Sequence, residues 1–143
     1  QWGIFYERIP GALLIYALPR QFIQNLQSRL PEAGFYLHLM NPLKKGLETN
    51  GDFLLVYLRE KKTDCIVISK KSLLYYNSFD YESAEDVVYH VLHLTDQFQL
   101  NPERLRIQMI GDQEKVRPDH ILGAYLPNVT FSPLTVEYEN YQW

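Results

Sequence analysis

The six residues Phe53-Leu54-Leu55-Val56-Tyr57-Leu58 form an unbroken apolar run, rich in β-formers and too short for a typical helix. Such a run fits a strand buried on both faces. The residues after it fix its neighbours. Arg59-Glu60-Lys61-Lys62-Thr63 is a polar connection of hairpin length, and Cys65–Ile68 is a second apolar run. Ser69–Ser72 turns the chain again, and Leu73–Phe79 is a third strand, more polar toward its end. Loops this short join antiparallel neighbours, so the three strands form a meander.

Beyond Phe79 the apolar period changes from two to about 3.6. Ser83 is placed to cap a helix, with Asp86 three residues on as a weak form of the capping box. Val87, Val88, Val91, Leu92, Leu94 and Phe98 give that helix a wide apolar face, and Asn101-Pro102 is the stop signal. Leu105–Ile110 then alternates until Gly111-Asp112 ends it. A helix of this length returns the fourth strand parallel to the sheet. Pro118 starts a further short helix through Ile121, Leu122, Tyr125 and Leu126, and Asn128–Phe131 fits one last short strand. The order over residues 51–143 is β-β-β-α-β-α, the pattern of a ribonuclease H-like unit in an α/β protein.

The first fifty residues read as β-β-α-β. Gly3–Ile9 is a strand, Pro10-Gly11 a turn, and Ala12–Leu18 a second, buried strand. Pro19 suits the first turn of a helix carrying Phe22, Ile23, Leu26 and Leu30 on one face. Phe35–Leu39 reads as a strand, and Asn41–Leu47 as a connection with room for one helical turn.

Composition narrows the function. With 14 basic against 17 acidic residues and a formal charge of −3, nothing favours nucleic acid as a partner. The single cysteine, Cys65, rules out an internal disulfide framework and points to a reducing, cytoplasmic setting. No apolar run approaches the ~20 residues of a membrane span. The 11 tyrosines are scattered and unflanked by a basic stripe, which fits half-buried sheet positions better than a base-stacking platform.

Few constellations carry chemistry. Asp86, His90 and His93 share a helix face with Asp96 nearby, but the histidines are three apart rather than four, and a solvated face explains them. Asp119-His120 beside Pro118 lacks a nucleophile and reads as a helix start. Cys65 sits mid-strand with no group to activate it. The pairs Lys44-Lys45, Lys61-Lys62 and Lys70-Lys71 fall in turns, and Asn128-Val129-Thr130 is a chance glycosylation match. Gly111-Asp112 is the position of most interest, since ligands sit beyond the carboxyl ends of parallel strands in open sheets.

Ala12–Leu18 with Pro19-Arg20-Gln21, the helix after it and Glu32–Phe35, then Leu54–Phe79, then Arg104–Asp112, resemble segments of actin-like ATPase domains of the PilM and type II secretion L-protein kind. The whole resembles an uncharacterised Bacteroidota family with an actin-like (ASKHA, ribonuclease H-like) fold. The resemblance implies two subdomain portions: residues 1–50 as the end of a first actin-like subdomain and 51–143 as a ribonuclease H-like one. It also implies a first phosphate loop in a preceding lobe outside this sequence. In those proteins a second phosphate loop carries Asp-x-Gly, the Asp handling Mg²⁺ and the Gly admitting the phosphates. Here Tyr57 falls at the Asp and Arg59 at the Gly, and neither does that work. Of the adenosine-contacting glycine pair, Gly111-Asp112 keeps one glycine. The nucleotide-site positions are thus Tyr57, Arg59, Thr63, Gly111 and Asp112 in degenerate form. The expectation is a non-catalytic scaffold with no cofactor and no catalytic or metal residues, whose partner is a protein or a second copy. The alternative is an ATP-binding switch with Mg·ATP in a cleft around Glu60, Thr63 and Gly111.

Overall fold

The run over residues 53–58 is the middle of a five-stranded sheet in the order β5-β4-β3-β6-β7. The computed structural model describes residues 1–34, 37–112 and 116–133. Its central strand β3 (Phe53–Leu58) pairs antiparallel with β4 (Lys62–Ser69), which pairs antiparallel with β5 (Ser72–Asp80). On its other side β3 pairs parallel with β6 (Arg106–Gly111), which pairs parallel with β7 (Val129–Pro133). A strand with neighbours on both edges and cover on both faces must be apolar throughout, and five of the six β3 residues are buried. This is the ribonuclease H-like α/β arrangement that the element order implies.

The two faces of the sheet serve two cores. Leu54, Val56, Cys65, Val67, Ile107 and Met109 point to one side, beneath α3 (Ala84–Gln97) and α4 (Pro118–Leu122). Phe53, Leu55, Ile66 and Ile68 point to the other, beneath α2 (Met40–Glu48). The helix α3 forms where the sequence predicts it: the Ser83 hydroxyl accepts from the Asp86 N–H, and the Asp86 carboxylate accepts from the Ser83 N–H at 3.0 Å. It ends at Gln97, before the expected Asn101-Pro102. Gln99 at φ 52° turns the chain while the Leu100 N–H reaches the Thr95 carbonyl at 2.9 Å, a Schellman closure made by glutamine instead of glycine.

The first fifty residues depart from expectation in two places. Leu37 lies outside any strand, His38 and Leu39 turn, and α2 follows, so the expected strand over 35–39 is absent at 37–39; Phe35 and Tyr36 lie outside the described residues. Leu39, Met40, Leu43 and Leu47 are buried at helical spacing, which makes a nine-residue helix where the sequence offered a single turn. Gly46, a breaker in isolation, is there because a Cβ would stand 2.6 Å from Ile68 Cδ1 and 2.7 Å from the Phe53 ring. The helix is pressed against the sheet at that point. The second departure is in the hairpin of β1 (Trp2–Ile9) and β2 (Ala12–Pro19), which is a separate two-stranded sheet. β2 is not a buried strand: its residues alternate between half-buried and exposed, because the hairpin has cover on one face only. α1 (Arg20–Arg29) follows it directly, with only Ile23 fully buried. No helix among the described residues is long and apolar enough to cross a membrane.

Candidate functional site

Where β3 and β6 end side by side, a cleft of about 340 Å³ opens. Its walls come from the carboxyl end of β3 (Tyr57, Leu58, Arg59, Glu60), from Tyr81, from Asp112 and Val116 after β6, and from His38 ahead of α2. A concavity of this size at the carboxyl edge of parallel strands suits a small ligand.

Arg59 is tied through both its backbone and its guanidinium. Its N–H donates to the Lys62 carbonyl at 2.8 Å, closing the β3–β4 turn. Its carbonyl accepts from the Tyr81 hydroxyl. Its guanidinium donates to Asp64 Oδ1 at 2.8 Å and lies 3.5 Å from Ser78 Oγ. Asp64 is the fixed point of the group and is fully buried. Its Oδ1 also accepts from the Ser78 hydroxyl, and from the Tyr76 hydroxyl at 3.4 Å. Its Oδ2 has no hydrogen-bond partner among the described residues and faces His38 Nε2 at 3.6 Å. The His38 ring packs on Tyr57 with centroids 4.8 Å apart. Burial pushes the Tyr57 phenol above its ordinary value; the Asp64 carboxylate adds to the rise and Arg59 opposes it. Burial also raises Tyr81, with the Glu60 carboxylate as the lesser cause. The cation at this corner is therefore compensated internally, and the cleft offers an anion little uncancelled positive charge.

The positions singled out by sequence separate. Tyr57, Arg59 and Asp112 line the cleft, together with Glu60. Thr63 does not: it shares the parity of Cys65 and Val67 along β4 and is fully buried. Gly111 ends β6 beneath Leu58, where a Cβ would lie 2.7 Å from Leu58 Cβ. Packing alone accounts for that glycine. Sequence reasoning missed Asp64, His38 and Tyr81. The Asp64 signal was present, since the hairpin register sets it directly across from Tyr57.

Elsewhere the polar groups are engaged structurally. The backbone N–H groups of Glu82 and Ser83 hold the Asp86 carboxyl below its usual range. His90 stacks on Phe79 at 4.1 Å and His93 on Tyr89 at 5.9 Å. Arg117 bonds Asp119 through two nitrogens at 2.9 and 2.8 Å and keeps that carboxyl low. Burial pushes the Cys65 thiol up to about 12. Lys62 pairs with Asp80 at 2.7 Å, and Asn128 donates to the Glu103 carbonyl at 2.9 Å. Among the described residues no three His, Cys, Asp or Glu side chains come together as a metal site.

A family model described as a protein of unknown function (DUF3822) matches residues 7–129. No curated protein matches the chain. Among solved structures, the chain is similar to a Bacteroides thetaiotaomicron VPI-5482 protein described as having an actin-like ATPase fold and unknown function. The TM-score is 0.69 at 21% identity, over 92% of this chain and 54% of that one. The chain thus spans about half the length of that protein, and the likeness is one of fold.

Proposed function

The chain belongs to the DUF3822 family, and from that premise we propose that it is a non-catalytic module of an actin-like scaffold, related in kind to the PilM and type II secretion platform proteins, which binds protein rather than turning over nucleotide. The observation that carries this reading is the Arg59–Asp64 pair. At the turn after β3, a phosphate loop needs a small residue whose backbone N–H groups point outward. Here that turn carries an arginine whose N–H is spent on Lys62 and whose guanidinium is bound to a fully buried carboxylate. Tyr57, one turn of the pleat earlier, fills the position where a metal-handling carboxylate would stand, and its ring is packed against His38.

Within this reading residues 1–50 are the end of one actin-like subdomain and 51–143 a second. The test is a thermal-shift titration with Mg·ATP. A nucleotide present at 100 times its Kd would stabilise the fold by about 2.7 kcal/mol. The expected result is no shift; a saturable, magnesium-dependent shift overturns the reading. A second reading, an ATP-binding switch, is favoured by one feature, the open cleft of about 340 Å³ between Glu60 and Asp112. The same titration decides between them, with Mg·ATP as the cofactor only in the second.

A further inference from the structure

The hairpin β1–β2 carries an apolar face that none of the described residues covers. Directly opposed residues of an antiparallel pair share a face. The register sets Trp2 across from Pro19, Ile4 from Ala17, Tyr6 from Ile15 and Arg8 from Leu13. All eight of these residues are exposed. Five are large and apolar: Ile4 is 78% exposed, Ile15 66%, Trp2 65%, Tyr6 64% and Leu13 51%. The opposite face, through Ile9, Ala12 and Leu14, is the one seated on the α2 core. An isolated two-stranded sheet is marginal in water, and an apolar patch of this size is uncommon on a free surface.

We propose that this face is a homodimer interface, with the β1–β2 hairpin of one copy packed sheet-on-sheet against the same hairpin of a second copy. Aligned sheets stack about 10 Å apart with their apolar side chains interdigitated. Five large side chains more than half exposed amount to roughly 500–750 Å² of surface per copy, if each contributes about 100–150 Å². Two copies then bury on the order of 1,200 Å², the lower end of a specific stable interface. The charge pattern is compatible with a twofold pairing. Arg8 is the only charge among the eight and lies at the turn end, while Trp2 lies at the open end. A twofold axis across the strands sets the Arg8 of each copy over the Trp2 end of the other, so the two cations avoid one another and each meets an indole face. This proposal deepens the scaffold reading by naming the protein partner as a second copy of this chain.

Sedimentation of the 143-residue chain from about 1 to 100 μM tests it. The expected result is a monomer–dimer equilibrium. Ile15→Glu, which buries an unpaired carboxylate twice in the dimer, is expected to weaken it at least about 100-fold with unchanged circular dichroism. Ile4→Glu is the second variant, and Tyr89→Glu on the exposed face of α3 is the control that leaves the dimer intact. A monomer throughout, or a dimer indifferent to both hairpin variants, overturns the proposal. A monomer would pass the face to another occupant, such as a lobe like the part of the actin-like neighbour that this chain does not match. Nucleotide binding would sink the non-catalytic reading and leave the dimer standing; a monomer would do the reverse.

Discussion

Arg59 and Asp64 share a hydrogen bond of 2.8 Å, yet they stand in unequal surroundings: the arginine side chain is 41% exposed and the aspartate 0%. Losing one partner is therefore different from losing the other. Arg59→Met leaves a buried carboxylate with its main counter-charge gone, and a cost of about 3 kcal/mol is expected, the lower end for a broken buried pair. Asp64→Asn keeps an acceptor for Ser78 and Arg59 and leaves a cation that water can reach, so about 1 kcal/mol is expected. Urea denaturation of the two variants checks the order. Equal losses would show that the pair behaves as an ordinary surface bridge.

The cap of α3 gives a pH-dependent effect with a definite sign. The Glu82 and Ser83 N–H groups hold the Asp86 carboxyl below its unfolded value. A depressed folded pKa contributes stability that is fully present above the unfolded carboxylate value near ~4 and is lost as pH falls through the lower, folded one. The urea midpoint of wild type should exceed that of Asp86→Asn at neutral pH, and the gap should close as the solution is acidified below about pH 4. A gap that widens in acid would contradict the cap. Ser83→Ala, removing the reciprocal half, should cost about 1 kcal/mol.

Gly111 separates packing from ligand binding. Its missing Cβ would press on Leu58 Cβ, an atom fixed to the backbone of β3 and unable to swing away. Gly111→Ala should destabilise by about 1–3 kcal/mol in the absence of any ligand, read as a lowered urea midpoint. A fully stable variant would mean that β3 and β6 can part at their ends, and the glycine would need another explanation.

Cys65 should be silent in the native protein. With its thiol pushed up to about 12 and its side chain enclosed, the thiolate that reacts is scarce and unreachable. Labelling by an aromatic disulfide reagent at pH 8 should proceed no faster than the protein opens, and should become immediate in denaturant. Fast native labelling would place the thiol at the surface.

The main sheet was legible because its signals were local. The apolar run of β3, the short polar connections on either side of β4 and the Ser83–Asp86 box each imply one structure within a few residues, and each is found. The helix α2 was hidden by Asn41-Pro42 and Gly46, which discourage a helix in isolation and are acceptable here because proline sits in the first turn and the glycine faces the sheet. Asp64 was missed for a different reason. In the sequence the polar connection runs through Thr63 and the apolar run starts at Cys65, so the aspartate belongs to neither, and its importance rests on a cross-strand neighbour and on His38, which comes from far along the chain. Thr63 was misplaced by the same one-residue ambiguity, since adjacent residues of a strand lie on opposite sides of the sheet.

Because β3 is the common wall of both cores, the two layers share one fate in denaturation. Pulling α2 away would bare Phe53 and Leu55, and pulling α3 away would bare Leu54 and Val56, four neighbours on a single strand. Partial melting is thereby penalised from either direction, and the amides of this strand are expected to exchange with solvent among the slowest of the described residues.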